Sequence, residues 1–389
     1  MVVTAVAALF IAVVVRIEFG LAVVFLLTAI VAIGLAVPGN IARHLEVDRS
    51  FSERAFFGER VPVRLTIRNG SLLPALWVEV WELLPLSIAP EHASIKEVIA
   101  IPGRDQKELR YEVHCRRRGY WRLGPTSLTT GDVLGVSVKR PQPHPADYLI
   151  VYPKILSLDR LGLPTRSPLA ELPTPASLFS DPARVMGVDE YRIGDSLRRI
   201  HWTASARTGD LMVKQIEPAV ARDTMIYLDL NRPNYALGRT TTGPELAITV
   251  AASLAAHITE REGQPVGLTV RARDPLARSR VEIVLPPEAS RYQLMAILEI
   301  LARFQTDSET DFGELLRSRA PHLSWGSTLA VVTGSVSRDL AETLLLLQKA
   351  GFAVAVYLVQ PELDLDTRGL SSAGLKVHQI DREQHLSTI

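Results

Sequence analysis

The sequence predicts a chain of mixed class, α/β plus all-β: an N-terminal transmembrane helical hairpin, an antiparallel β-sandwich-like domain, a linker, and a doubly wound α/β domain. Three observations carry that prediction. Charge is nearly absent from residues 1–40, residues 41–152 hold runs that alternate apolar and polar side chains, and residues 222–389 alternate continuous apolar runs with helical spacing. A length of 389 residues suits two folded units and an accessory segment, since domains usually run to ~100–200 residues.

The hairpin comes first. Residues 1–15 carry no charged side chain, Arg16, Ile17 and Glu18 interrupt the run, and residues 19–37 are again uncharged before Pro38, Gly39 and Asn40. A bilayer core ~30 Å thick takes ~20 apolar residues in a helix. The second run has that length and the first is short, which gives two helices folded back on each other over residues 1–40. A single span is the competing arrangement, and a signal peptide is disfavoured because nothing basic precedes the first run. Arg43, Arg49, Arg54 and Arg60 follow the second run, while the expected turn holds one Arg and one Glu. The positive-inside rule then places the folded bulk in the cytosol, on the inner (cytoplasmic) membrane.

The β-rich stretch, residues 41–152, follows. Residues 60–68 alternate apolar and polar, Asn69-Gly70 is a turn signal, and residues 75–82 alternate again. Residues 109–115, 120–124 and 134–139 add three more short strands separated by Gly and Pro, the pattern of an antiparallel sandwich. Trp77, Trp81, Tyr111, Tyr120 and Trp121 could offer a stacking face, but aromatics at strand spacing are more often core or cross-strand pairs.

From about residue 222 buried-type strands are expected at 224–230, 266–270, 327–333, 352–359 and 375–380, with a shorter edge strand at 281–285. Helices are expected at 244–262, 291–304 and 337–350. Such alternation predicts a mostly parallel sheet covered on both faces. Open sheets of this kind bind ligands beyond the carboxyl ends of their strands, and the first such end carries Asp229. An acid there is costly to desolvate without compensation, which makes it a candidate divalent-cation ligand with Asn231 and Thr310 as neutral oxygen donors. The plainer reading is that Asp229 caps a loop or pairs with an arginine. There is no GxxxxGK[ST] and no GxGxxG after a strand, so nucleotide binding is not expected.

The densest polar segment lies in the expected linker, residues 153–221. Asp195 after Gly194 is a good helix N-cap, which predicts a short helix over 196–206 with Gly209 at its end and Arg198, His201 and Trp202 on one face. A hydrolase site could be assembled from Asp195, His201 and Ser205, although Ser205 lies in no GxSxG elbow. The stronger readings are a network of charged side chains between domains, or the docking of a protein partner.

Within this segment Glu190, Tyr191, Gly194, Asp195, Arg198, Ile200, Trp202, Ser205, Ala206, Arg207, Thr208, Leu211, Val213 and Lys214 form a pattern that closely resembles the signature of the bacterial family called domain of unknown function 58. The resemblance extends to the apolar N-terminus, to Ile67-Arg68-Asn69, to Arg118-Gly119-Tyr120 and to Leu123-Gly124-Pro125; Asp189 departs from it, standing where the family commonly has arginine. The resemblance implies a von Willebrand factor type A-like fold for residues 222–389. Carried over to this chain, the metal site of such domains would start at Asp229, with Asn231 and Pro233 in its two serine positions and Thr310 as its threonine, while Thr333-Gly334 offers no second aspartate. Weak or absent binding of a divalent cation such as Mg²⁺ is therefore expected, and no other cofactor. The resemblance also implies a partner, a MoxR-type AAA+ ATPase.

Charge balance removes another class. With 43 Lys and Arg against 42 Asp and Glu, the net charge of +1 gives no basic footprint for nucleic acid. One cysteine, Cys115, permits no internal disulfide and no cysteine metal cluster, as suits a reducing compartment. The expectation is a membrane-anchored interaction or scaffold protein without enzymatic activity. A metal-dependent ligand-binding module and a hydrolase are the alternatives.

Overall fold

The computed structural model describes residues 2–88, 94–132, 137–161, 180–191, 200–218, 223–309, 311–324, 326–361 and 374–381. The chain divides into two compact units, Met1–Tyr152 and Pro153–Ile389.

The first unit begins with α1 (Val2–Arg43), one continuous helix of 42 residues. This corrects the expected hairpin. Arg16, Ile17 and Glu18 interrupt the hydropathy but not the backbone: none is a turn former, so nothing there reverses the chain. At 1.5 Å per residue α1 is about 63 Å long. Its stretch Leu21–Arg43 is long and apolar enough to cross a membrane. Nor does Pro38 end the helix, although proline removes a backbone donor. Pro38 and Ile41 are buried and Val37 packs into the β core beside them, so tertiary packing carries the helix past the proline.

The strands of this unit are β1 (Leu45–Ser50), β2 (Arg54–Ala55), β3 (Arg60–Asn69), β4 (Ala75–Leu83), β5 (Ser94–Ile101), β6 (Gln106–His114), β7 (Gly119–Leu123), β8 (Thr126–Gly131), β9 (Val138–Lys139) and β10 (Asp147–Val151). They form three sheets, β1-β3-β6, β5-β4-β8-β9 and the small β2-β10-β7. Alternation decides which face is inside: Val61, Val63, Leu65 and Ile67 of β3 are buried while the residues between them are mostly exposed. Leu65 and Ile67 share one core with Val78 and Val80 of β4 and Leu128 of β8, so the first two sheets face each other across it. Trp81 is 47% exposed, so it is not core.

The second unit opens with an antiparallel ribbon, β11 (Ser180–Glu190) and β12 (Met212–Pro218), with α2 (Trp202–Thr208) between them. Its remaining elements are β13 (Thr224–Leu228), α3 (Thr242–Glu260), β14 (Val266–Asp274), β15 (Ser279–Glu288), α4 (Arg291–Arg303), α5 (Phe312–Arg319), β16 (Thr328–Thr333), α6 (Arg338–Lys349), β17 (Ala353–Val359) and β18 (Lys376–Ile380). The sheet order is β15-β14-β13-β16-β17-β18, all neighbours parallel except the β14–β15 hairpin. Strands β13 and β17 are buried at every position, as a sheet covered on both faces requires. The strand order steps outward from β13 in both directions, so β13 and β16 flank the switch point where such sheets place their ligands.

Candidate functional site

Asp229 follows β13 directly, at that switch point, and is 1% exposed. Its Oδ1 accepts the Asn231 N–H at 2.9 Å. Its Oδ2 accepts Nδ2 of Asn234 at 2.7 Å and the Thr333 hydroxyl at 2.7 Å. Its backbone is held too: the N–H donates to Val332 C=O at 2.9 Å, and the C=O accepts the Tyr235 hydroxyl at 2.6 Å. Burial pushes the Asp229 carboxyl up to about 6, against the pull of the three donors from Asn231, Asn234 and Thr333. The Tyr235 ring reaches its place because Gly334 has no side chain; a Cβ there would lie 2.5 Å from Cδ1 of Tyr235.

The loop after β13 is fixed from the other side as well. Asn231 bridges Asp307, Arg232 N–H donates to Asp307 C=O at 2.7 Å, and Nε of Arg232 donates to the Thr306 hydroxyl at 2.7 Å. Asn231 is 8% exposed, and its Oδ1 has no hydrogen-bond partner. The structure therefore brings Asp229 and Asn231 together; Thr310 lies outside the described residues. Sequence reasoning found Asp229 but missed Asn234 and Tyr235, which a short 3₁₀ turn over Arg232–Asn234 delivers. It saw Thr333 only as a missing aspartate, whereas Thr333 is a donor to Asp229.

The signature segment is built differently from its sequence expectation. Ile200 bridges Val213, so the backbone there is extended and α2 begins only at Trp202, not at 196. His201 is its N-cap, with Nδ1 accepting the Ala204 N–H at 3.1 Å, and does not share a helical face with Trp202. Gly209 ends α2 as expected, in the left-handed conformation with φ of 84°. The Ser205 hydroxyl donates to His201 C=O at 3.1 Å and accepts the Met212 N–H at 2.9 Å, which ties α2 to β12. Gly194, Asp195 and Arg198 lie outside the described residues.

Of the other signature residues, Glu190 stands opposite Met212 and Lys214 opposite Val188 in the ribbon, and Tyr191 N–H donates to Leu211 C=O at 2.7 Å. Trp202 of α2 is 69% exposed, and Leu211 and Val188 are exposed as well. Glu190 and Arg207 are exposed and have no ion pair among the described residues. The chemistry on offer is thus an exposed aromatic side chain, exposed apolar side chains, and charges of both signs without an ion pair among the described residues.

Comparison with known proteins places the signature segment in context. The family model described as protein of unknown function DUF58 matches residues 187–373. A relative from Bacillus subtilis (strain 168), the uncharacterized protein YeaD, is 24% identical over 183 residues, which are 44% of this chain and 44% of YeaD, less than half of its length. Among solved structures, the CARDB domain of the PF1109 protein from Pyrococcus furiosus is 10% identical with a TM-score of 0.22, over 28% of this chain and 91% of that one. A β-glucosidase from Listeria innocua is 15% identical with a TM-score of 0.19, over 29% of this chain and 16% of that one. Residues 187–373, which hold α2, β12 and the Asp229 loop, match the DUF58 family of proteins of unknown function.

Proposed function

We propose that this protein is a membrane-anchored interaction protein that docks a protein partner through the ribbon and α2. The observation that carries the reading is Trp202, a large aromatic 69% exposed on α2, in a segment where Leu211 and Val188 are also exposed and Glu190 and Arg207 have no ion pair among the described residues. Tryptophan and arginine at such positions are the residues that dominate protein interfaces. Anchoring is supported by Phe19, Phe25, Leu26 and Ile33 of α1, each at least 61% exposed, an apolar surface that suits lipid rather than water. In this reading α1 crosses the cytoplasmic membrane once, and the arginines after it hold the folded units in the cytosol.

We read the second unit's sheet as von Willebrand factor type A-like, on its strand order, its antiparallel edge strand β15 and the acid following its first central strand. We read Asp229 as a structural hub and the protein as non-enzymatic, because both carboxylate oxygens are taken by the protein's own donors and both His201 Nδ1 and the Ser205 hydroxyl are engaged with backbone.

The test is photo-crosslinking in native membranes. A photoreactive residue in place of Trp202 yields a discrete protein adduct, and the same residue in place of Leu237, 94% exposed elsewhere on the unit, does not. The family resemblance makes a MoxR-type ATPase the first adduct to look for. Equal or absent adducts at the two positions contradict the reading.

One observation favours a second reading, metal-dependent ligand binding: the buried Oδ1 of Asn231, without a partner beside Asp229. Calorimetry with Mg²⁺ decides it, since binding lost in Asp229→Ala supports a metal site and no heat removes it.

A further inference from the structure

The last turns of α1 and the segment that begins at β9 line a groove of about 800 Å³ with two kinds of wall. Leu35, Ala36 and Gly39 of α1 give it apolar surface, and Arg43, Lys139 and Arg140 give it positive charge. From Leu35 to Arg43 the helix rises about 12 Å. The three cations are exposed, and none has an ion pair among the described residues.

The segment that carries Lys139 and Arg140 is held firmly. Lys139 is paired with Thr130 of β8, Asp132 N–H donates to Ser137 C=O at 3.1 Å, and Ser137 N–H donates to the Asp132 carboxylate at 2.6 Å. That carboxylate lies beside Gly34 of α1: Oδ2 is 3.7 Å from where a Cβ would stand. Residues 19–35 of α1 rise about 26 Å, close to the ~30 Å of a bilayer core. Leu35 then lies where acyl chains end, and Arg43 lies at headgroup depth. On the same end of the unit, the exposed Leu72 and Leu73 follow Gly70, whose N–H donates to His44 C=O at 2.9 Å.

We propose that this groove binds an anionic phospholipid, with its phosphate at Arg43, Lys139 and Arg140 and its acyl chain along Leu35 and Ala36. Apolar surface together with three cations that have no ion pair among the described residues, beside a helix read as a membrane span, matches that ligand. Leu72 and Leu73 enter the same interface. The proposal rests on the reading of α1 as a membrane span.

The experiment uses the full chain in detergent micelles, with retained lipid counted by native mass spectrometry. Wild type retains phosphatidylglycerol over phosphatidylcholine. A basic residue near a membrane surface contributes about fivefold in affinity, so Arg43→Gln/Lys139→Gln/Arg140→Gln together reduce phosphatidylglycerol retention on the order of 100-fold. Lys107→Gln on β6 leaves retention unchanged, and an unaltered thermal melt of the triple variant shows that it folds. Equal retention by the triple variant, equal retention of phosphatidylcholine, or displacement of the lipid by millimolar inorganic phosphate overturns the proposal. Alkaline extraction of wild type from membranes separates the two failures. Release to the supernatant removes the span and the groove's role together; firm embedding with no loss in the triple variant removes only the groove.

Discussion

Thr333 donates its hydroxyl to Oδ2 of Asp229 over 2.7 Å, joining the ends of two neighbouring strands, β13 and β16, at the switch point of the sheet. The bond satisfies a carboxylate that is 1% exposed, and it occupies an oxygen that a metal would otherwise use. Thr333→Val keeps the shape and deletes the donor. At pH 7.5 it destabilises the second unit by about 1–3 kcal/mol, the cost of leaving a buried group short of a partner. Amide exchange in β13 and β16 measures this, and unchanged protection there would show that the bond does not matter.

A pH dependence follows from the same residue. Asp229 is pushed up to about 6 by burial, above the ~3.9 of an unfolded chain, so the folded state holds this proton more tightly. Its neutral form stabilises the fold below about pH 4, and that contribution is lost as pH rises through about 6. Relative to Asp229→Asn, which does not titrate, wild type loses about 2–3 kcal/mol between pH 4 and 7.5. Denaturation of both proteins at the two pH values gives the difference; parallel behaviour would mean an unshifted carboxyl.

In the first unit Arg49 and Glu82 form a fully buried pair, Nε to Oε1 at 3.0 Å and Nη2 to Oε2 at 3.2 Å. Asp147 at 2.5 Å, Pro145 C=O, the Thr126 hydroxyl and the Tyr111 hydroxyl complete the network. Removing the guanidinium strands the buried Glu82 carboxylate, so Arg49→Met alone costs about 3–5 kcal/mol, whereas Arg49→Met with Glu82→Leu recovers most of that loss. Tryptophan-monitored denaturation of the three proteins measures it.

Gly124 stands against that network with φ of 91°, and a Cβ there would lie 2.5 Å from Nη2 of Arg49. Gly124→Ala combines a left-handed alanine with displacement of a buried guanidinium. It destabilises the first unit by about 2–4 kcal/mol, and much less in an Arg49→Met background if the contact rather than the backbone is responsible. The same denaturation experiment distinguishes the two causes.

How far the sequence predicts each feature depends on how local its cause is. Strands β13, β16 and β17 are legible because a doubly covered sheet writes continuous apolar runs into the chain. Helix α5 is not: in eight residues only Phe312, Leu315 and Leu316 are large and apolar, too few to show a period. Asp229 is visible as an acid at a strand end, but Asn234, Tyr235 and Thr333 become its partners only once a loop and a neighbouring strand fold onto it. Arg49 and Glu82, 33 residues apart on different strands, leave no sequence signature at all. At the N-terminus the charged interruption at Arg16 and Glu18 imitates a turn in hydropathy, while α1 runs straight through it.

That last difference makes topology the most direct test of the anchor. A single helix puts the two ends of α1 on opposite sides of the membrane, and a hairpin puts them on the same side. Thr4→Cys and Ser52→Cys, made separately in the full chain, are labelled in intact cells with a membrane-impermeant maleimide. The native Cys115 is a quiet background, since it is fully buried and its thiol is pushed up to about 11, mainly by burial. The account predicts labelling at position 4 and protection at position 52 until the cells are opened. Identical labelling of the two positions in intact cells would contradict it.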